Sequence, residues 1–242
     1  MLLKRVQLPL FALAIALIAG LAYSPANACK TCAKHNTSTE KPGSADDHGH
    51  EHLDEDEGFV TILGKGHTDG WTLGPNMKFE DGMIVAGTMD EKIPKTLYAY
   101  HNKDYYNFEL RAQAKAVGPD NTNGGFQIRS KVDDNGIMVG YQADMGHKYW
   151  GLVYDQGRRN QLLTQHEEGI DLKMDINWGE WNDYRVVCKD NVIEVYINGK
   201  LFSKLAEQDA DIAKATGKIG LQMHAGPPSI RYYRNIRIKE LD

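Results

Sequence analysis

The chain has 242 residues, with 28 Lys and Arg against 33 Asp and Glu, a formal charge of -5 and 41% hydrophobic residues. That balance, with only three cysteines, excludes a basic nucleic-acid binder, a collagen-like chain and a disulfide-dense mini-protein. The charge is uneven: +2 over residues 1–28 (Lys4 and Arg5), -5 over residues 29–57 (three Lys, eight Asp or Glu) and -2 over residues 58–242 (23 basic, 25 acidic).

Lys4 and Arg5 precede an apolar run from Leu8 to Ala22, and Ala26-Asn27-Ala28 supplies a small-residue cleavage pattern. Residues 1–28 therefore read as a secretory signal peptide, and the mature protein is expected to be exported, to the periplasm or the exterior. The run is shorter than the roughly 20 apolar residues of a bilayer crossing, and Pro9 sits at its start. Cleavage after Ala28 would leave Cys29 first, so a lipid anchor at Cys29 is the alternative, although Ala26 stands where such sites usually carry Leu.

Residues 29–57 read as a disordered, acidic, His-rich linker. Pro42, Gly43, Ser44 and the Asp54-Glu55-Asp56-Glu57 run offer too little apolar surface to offset the entropy of ordering. Cys29, Cys32, His35, His48, His50 and His52 are chemically able to hold a metal, but their spacing fits no closed site. Cys188 alternates with Tyr184 and Val186 in a predicted strand, which makes it a buried thiol rather than a disulfide partner.

From Gly58 onward, period-two patterns and turn signals recur at short intervals, and only Gln208 to Thr216 suggests a helix. The predicted strands are Phe59 to Leu63, Met83 to Thr88, Thr96 to Tyr100, Asn107 to Val117, Gly125 to Val132, Ile137 to Met145, Trp150 to Asp155, Tyr184 to Lys189, Val192 to Ile197, Lys218 to His224 and Ile230 to Glu240. Asp134-Asn135-Gly136, Lys189-Asp190-Asn191 and Asn198-Gly199 provide hairpin chemistry. The fold class expected is all-β, a two-sheet antiparallel jelly-roll sandwich over residues 58–242. Asp133-Asp134-Asn135-Gly136 lacks the spacing of a calcium loop, and Gly64-Lys65-Gly66 lacks the strand-then-helix context of a dinucleotide fingerprint.

Strand parity adds a functional hint. Phe126 and Ile128, Tyr141 and Ala143, and Ile219, Leu221 and Met223 alternate with Gln127, Arg129, Gln142, Asp144, Gln222 and His224, so three strands each present an apolar and a polar face. Antiparallel sheets commonly expose one polar face to water. Amides and an imidazole, with Tyr149, Trp150, Tyr154, Trp178 and Trp181 in the intervening segments, also make a composition suited to hydroxylated ligands, while such aromatics serve equally as core packing.

Asn107-Phe108-Glu109-Leu110, Asn123-Gly124-Gly125-Phe126-Gln127-Ile128-Arg129, Gly140-Tyr141-Gln142, Gly179-Glu180-Trp181-Asn182-Asp183-Tyr184-Arg185, Val195-Tyr196-Ile197-Asn198-Gly199-Lys200, Gly220-Leu221-Gln222-Met223-His224 and Arg234-Asn235-Ile236-Arg237-Ile238-Lys239-Glu240-Leu241 follow one another in this order. The ordered set resembles the 3-keto-disaccharide hydrolase family over essentially all of Gly58 to Asp242. The resemblance implies a concanavalin-like jelly roll whose concave sheet holds a sugar, in an exported protein that cleaves glycosides oxidised at C3. Three positions depart from the family pattern: Gln142 where Glu is common, Asp144 where Gln is common, and Met223 where an Asp often precedes the His. They are compatible with an acid moved along one strand, with an altered substrate, or with lost activity.

Ordinary glycosidases need two carboxylates about 5 to 9.5 Å apart, and the predicted strands contain no Glu-x-Asp-x-Glu string. A 3-keto sugar removes that need, because the ketone acidifies the C2 proton. A base takes it, the enolate expels the C1 substituent, and water can later add to the enone. The candidate catalytic residues are His224 or Asp144 as base and Arg129 as enolate stabiliser. Gln127, Gln142 and Gln222 are candidate hydroxyl contacts, with Tyr141 and Tyr154 as further substrate contacts. No cofactor is assigned with certainty; a divalent metal polarising the ketone is possible, with Asp144 and His224 as ligands, but two candidates are too few to make a site. The alternatives are a non-catalytic lectin-like carbohydrate-binding protein and a metal carrier acting through the His-rich tail.

Overall fold

Alternation is strongest along Phe108–Val117, where Phe108, Leu110, Ala112 and Ala114 are buried and the intervening residues half-buried. A strand of this kind covers one face and leaves the other accessible, and here two antiparallel sheets stack to do so. The structure, a computed structural model, describes residues 57–242. The predicted signal segment, Cys29, Cys32 and the His-rich linker lie outside the described residues. Among those described, no helix is long and apolar enough to cross a membrane.

With strands numbered along the chain, one sheet contains β1 (Val60–Leu63), β3 (Met77–Glu80), β4 (Met83–Thr88), β6 (Phe108–Val117), β10 (Asn182–Lys189), β11 (Val192–Ile197), β12 (Lys200–Ala206) and β14 (Ser229–Glu240). Its order is β12-β11-β10-β6-β14-β4-β3, with β1 pairing the later part of β14. The second sheet contains β2 (Trp71–Thr72), β5 (Leu97–Tyr105), β7 (Gly124–Val132), β8 (Met138–Met145), β9 (Val153–Gln156) and β13 (Gly217–Met223), in the order β2-β5-β13-β7-β8-β9. Two four-residue helices, α1 (Leu172–Asp175) and α2 (Ala210–Ala213), join the strands. This is the expected jelly-roll sandwich.

The core lies between the sheets. Phe126 of β7 meets Tyr184 of β10 and Tyr233 of β14 with ring centroids 5.0 and 5.3 Å apart; truncating such a ring to Ala costs about 3–5 kcal/mol. Cys188 is a free, buried thiol, pushed up to about 12 by burial. The Asp133 carboxylate accepts from the backbone N–H groups of Asn135 at 2.9 Å and Ile137 at 2.8 Å, so this segment is a side-chain-stabilised turn.

Three strands escape the sequence pattern. β2 has only two residues, and β3 is mostly exposed on both faces. In β12 Phe202 and Ser203 are buried in succession, opposite a register shift between Val195 and Tyr196. A bulge of this kind breaks the alternation that identifies a strand.

Candidate functional site

Register brings the polar residues of β7, β8 and β13 together. Gln127 sits opposite Gln142, and Gly125 sits between Asp144 on one side and Gln222 on the other. Gly125 has φ of 144°, and a Cβ there would lie 2.4 Å from the Ala143 carbonyl oxygen. Only glycine fits, and its bare backbone leaves room between Asp144 and Gln222.

The amides form a closed network. Gln142 Nε2 donates to Asp144 Oδ1 at 2.5 Å and to the Gly124 carbonyl at 3.0 Å, and Gln222 Nε2 donates to Gln142 Oε1 at 2.7 Å. Gln127 Nε2 donates to Gln142 Oε1 from the neighbouring strand, and Ser130 Oγ donates to Gln127 Oε1 at 3.1 Å. Gln127, Gln142, Asp144 and Gln222 are all buried on the side of the sheet away from the core. A wetted surface of solvated side chains would not look like this; these groups are fixed in place by one another.

Burial pushes the Asp144 carboxyl well above the usual carboxylate range, and the hydrogen bond from Gln142 offsets only part of the effect. Its backbone is pinned as well: its N–H donates to Leu152 O at 2.9 Å, and its carbonyl accepts from the Tyr184 hydroxyl at 3.0 Å and the Gly151 N–H at 2.9 Å. Carboxylates tuned upward in this way suit proton transfer near neutral pH.

Asp144, Gln142 and Gln222 line a cavity of about 480 Å³ together with Tyr154 and His224. His224 is exposed, and its Nδ1 lies 2.6 Å from the Ala225 carbonyl oxygen. A proton on Nδ1 satisfies that contact, which leaves Nε2 to accept or give a proton. Burial, followed by the charges of Asp144 and Asp155, raises the Tyr154 phenol, so Tyr154 stays a neutral donor. Gln156, Asn160, Gln161 and Leu162 complete one wall. This wall is a short loop closed by Asp155 N–H to Gln161 O at 3.0 Å and Asn160 N–H to Asp155 O at 2.9 Å. Behind it, buried Asp155 pairs with Arg158 and Arg159, and Arg159 reaches Glu207, just past β12, at 2.6 Å.

Three sequence candidates, Arg129, Tyr141 and Gln127, are not brought to the cavity. A register shift between Ile128 and Lys131 turns Arg129, at φ of 47°, off the face it would share with Gln127. Its guanidinium donates to the carbonyls of Tyr106 at 2.6 Å, Asp190 at 2.8 Å and Ala213 at 3.2 Å, and to Asn107 Oδ1 at 3.2 Å. Tyr141 faces the core, donates to Glu207 at 2.7 Å and lies under Arg158. Gln127 supports Gln142 from the adjacent strand and does not line the cavity. No Lys or Arg lines it either.

Sequence reasoning assigned no role to Asn123, which lines the cavity with an Oδ1 that is buried and has no hydrogen-bond partner among the described residues. It also missed the wall residues Gln156, Asn160 and Gln161, which come from a loop without periodicity. Among the described residues, no group of three or more His, Cys, Asp or Glu side chains is arranged to hold a metal ion.

Solved structures with this architecture include two candidate glycosyl hydrolases from Parabacteroides distasonis. One has 20% identity and a TM-score of 0.56, covering 77% of this chain and 95% of its own. The other has 21% identity and a TM-score of 0.52, covering 76% and 99%. A Bacillus subtilis protein of unknown function with a galectin-like fold matches with a TM-score of 0.56 at 10% identity, covering 75% of this chain and 94% of its own. At these identities the likeness establishes the fold. No curated protein matches the chain in sequence. Residues 58–239, most of the chain, match the model of the 3-keto-alpha-glucoside-1,2-lyase-like domain, and the chain belongs to that carbohydrate-related family.

Proposed function

We propose that the protein cleaves glycosides whose sugar carries a ketone at C3, by elimination. Asp144 takes the C2 proton, and the C–H electrons form an enolate delocalised onto the C3 oxygen. Collapse of the enolate makes the C1–C2 double bond and breaks the C1–O bond, with His224 giving a proton to the departing oxygen. Water adding to C1 of the enone would convert the products to those of hydrolysis. Gln142, Gln222 and Asn123 hold sugar hydroxyls, and Tyr154 supplies a neutral donor toward the enolate oxygen. The observation that carries this reading is the buried carboxyl of Asp144, tuned upward in an amide cage, lining the same cavity as His224. Export follows from the N-terminal run, with the lipid anchor at Cys29 as its variant. Mass spectrometry of the mature N-terminus distinguishes the two.

A second reading, a carbohydrate-binding protein without turnover, is favoured by one fact: no Lys or Arg lines the cavity to steady an enolate. The test is to incubate the protein with the 3-keto and unoxidised forms of one disaccharide, with and without a chelator. Cleavage of the keto form alone supports the enzyme, and its loss with chelator assigns the missing positive charge to a divalent ion. Saturable binding of the unoxidised form with no cleavage of either supports the binder.

A further inference from the structure

The outer face of the eight-stranded sheet carries a row of arginines. Arg185 of β10 faces Arg111 of β6, and Arg111 faces Arg237 of β14, so the row crosses three adjacent strands. Thr61 of β1 and Tyr196 of β11 extend it at its two ends. Like charges directly opposite one another destabilise a sheet, and the chain reaches this arrangement through a bulge. Arg234 faces Gln113 and Arg237 faces Arg111, so β14 carries one extra residue between them, with Asn235 at φ of 51°. Without that residue Arg237 would turn toward the core.

The three arginines line one cavity of about 710 Å³ with Gln113, Asp183 and Asn235. Glu109 bridges two of them: its Oε1 accepts from Arg111 Nε and from Arg185 Nε at 2.8 Å each, and its Oε2 accepts from Arg185 Nη2 at 3.0 Å. The Glu109 side chain is only 12% exposed, against 30% for Arg111 and 41% for Arg185, so a ligand meets the cations first. Two of the guanidinium groups are held by aromatic rings, Arg111 over Phe59 at 4.5 Å and Arg185 over Tyr196 at 4.7 Å. Stacking uses the face of a guanidinium and not the edge donors that grip a carboxylate or sulfate. Gln113 accepts from Arg234 Nε and Asn235 Nδ2 at 2.9 Å each and donates to Asp183 at 2.8 Å, which fixes polar neutral groups beside the row.

We propose that this face binds an acidic saccharide, one carrying carboxylate or sulfate groups, at a site separate from the Asp144 cavity of the other sheet. The arginines take the anions, and Gln113, Asn235 and Asp183 take hydroxyl groups. Asp183 would repel the dense phosphates of a nucleic acid or a lipid surface, whereas a saccharide presents hydroxyls between its charges. The volume lies within the range of ligand cavities. The site stands whether or not the elimination reading holds.

The test is calorimetric titration of the full chain with tetragalacturonate and with a chondroitin sulfate tetrasaccharide, with methyl-esterified tetragalacturonate as the uncharged control. At least one acidic probe should bind, more tightly at low salt than at high salt, and the ester should bind about tenfold or more weakly than the free acid. Arg237→Gln and Arg185→Gln should each weaken binding about tenfold. Arg185→Lys keeps the charge and loses the planar fork, so it should recover only part of that loss. Asp144→Asn and Gln222→Ala, on the other sheet, should bind the acidic probe as the wild type does. Binding of neither acidic probe, equal binding of the ester, or loss of binding in Gln222→Ala but not in the arginine variants overturns the proposal. Adsorption to phosphatidylglycerol vesicles with neither saccharide bound would assign the row to a membrane surface and overturns it as well.

Discussion

Gln127 and Arg129, two residues apart on β7, serve opposite sides of the same sheet. Gln127 supports the amide cage, whereas Arg129 clamps three backbone carbonyls and Asn107 and stacks over the Tyr106 ring at 4.6 Å. The bulge between Ile128 and Lys131 separates them, because one inserted residue reverses every side chain that follows. Arg129→Met is therefore expected to act on stability, losing about 2–4 kcal/mol in urea unfolding because several acceptors are left unpaired. KM of the folded fraction should be unchanged, and a raised KM at unchanged stability would return Arg129 to the cavity.

Asp144 gives the sharpest pH signature. A carboxyl whose folded-state pKa is raised holds its proton more tightly than in the unfolded chain, so its contribution to stability falls as pH rises from the unfolded value through the folded one. Asp144→Asn should flatten that decline and leave the protein at least as stable at pH 7. If Asp144 is the proposed base it must be ionised to act, so the wild-type rate should rise with pH well above the ordinary carboxylate range. Asp144→Asn should lose roughly 100-fold or more in kcat. A stable variant with undiminished cleavage would remove Asp144 from the chemistry.

Arg231 is completely buried on β14 without a carboxylate, and its Nε has no hydrogen-bond partner among the described residues. Its remaining bonds run to the carbonyls of Ile230 at 3.0 Å and Asn123 at 3.3 Å, and burial lowers its pKa. An uncompensated buried charge is costly, so Arg231→Met should match or exceed the wild type in thermal stability, by up to about 4 kcal/mol. Releasing the Asn123 carbonyl should weaken saccharide binding at the same time. A variant that is less stable but binds normally would contradict this division of roles.

Glu207 fixes the acid limit. Burial alone would raise its carboxyl, but the Arg159 guanidinium, the Asp209 N–H and the Tyr141 hydroxyl together hold it down to about 2. A depressed carboxylate stabilises fully above its unfolded pKa and loses that contribution as pH falls through the folded value, here between the ordinary range near 4.5 and about 2. Glu207→Gln should remove this acid-dependent part of the unfolding curve and raise KM by loosening the wall from Gln156 to Leu162. An unchanged acid transition would show that Arg159 finds another partner.

Most of the architecture was readable because burial on one face leaves a period of two. β4 and β11 match their predicted ranges, and most other strand ends differ by a few residues. Parity also assembled Gln127, Gln142, Asp144 and Gln222 correctly, since β8 and β13 keep alternation through these positions. It failed at Arg129 because a bulge carries no reliable mark in a single sequence. The Asn160–Leu162 wall was hidden for a different reason: it is an aperiodic loop closed by backbone hydrogen bonds to Asp155 and backed by the Asp155–Arg158 and Asp155–Arg159 pairs, and its one long-range tie, Arg159 to Glu207, leaves no mark in a local pattern.

Those ion pairs do more than hold a loop. Glu207 follows the last residue of β12 in one sheet, whereas Tyr141 and Arg159 belong to β8 and the loop after β9 in the other. The wall that a sugar would press against is thus part of the seam along which the two layers could part. A saccharide bound there should slow amide hydrogen exchange in β12, a strand it never touches.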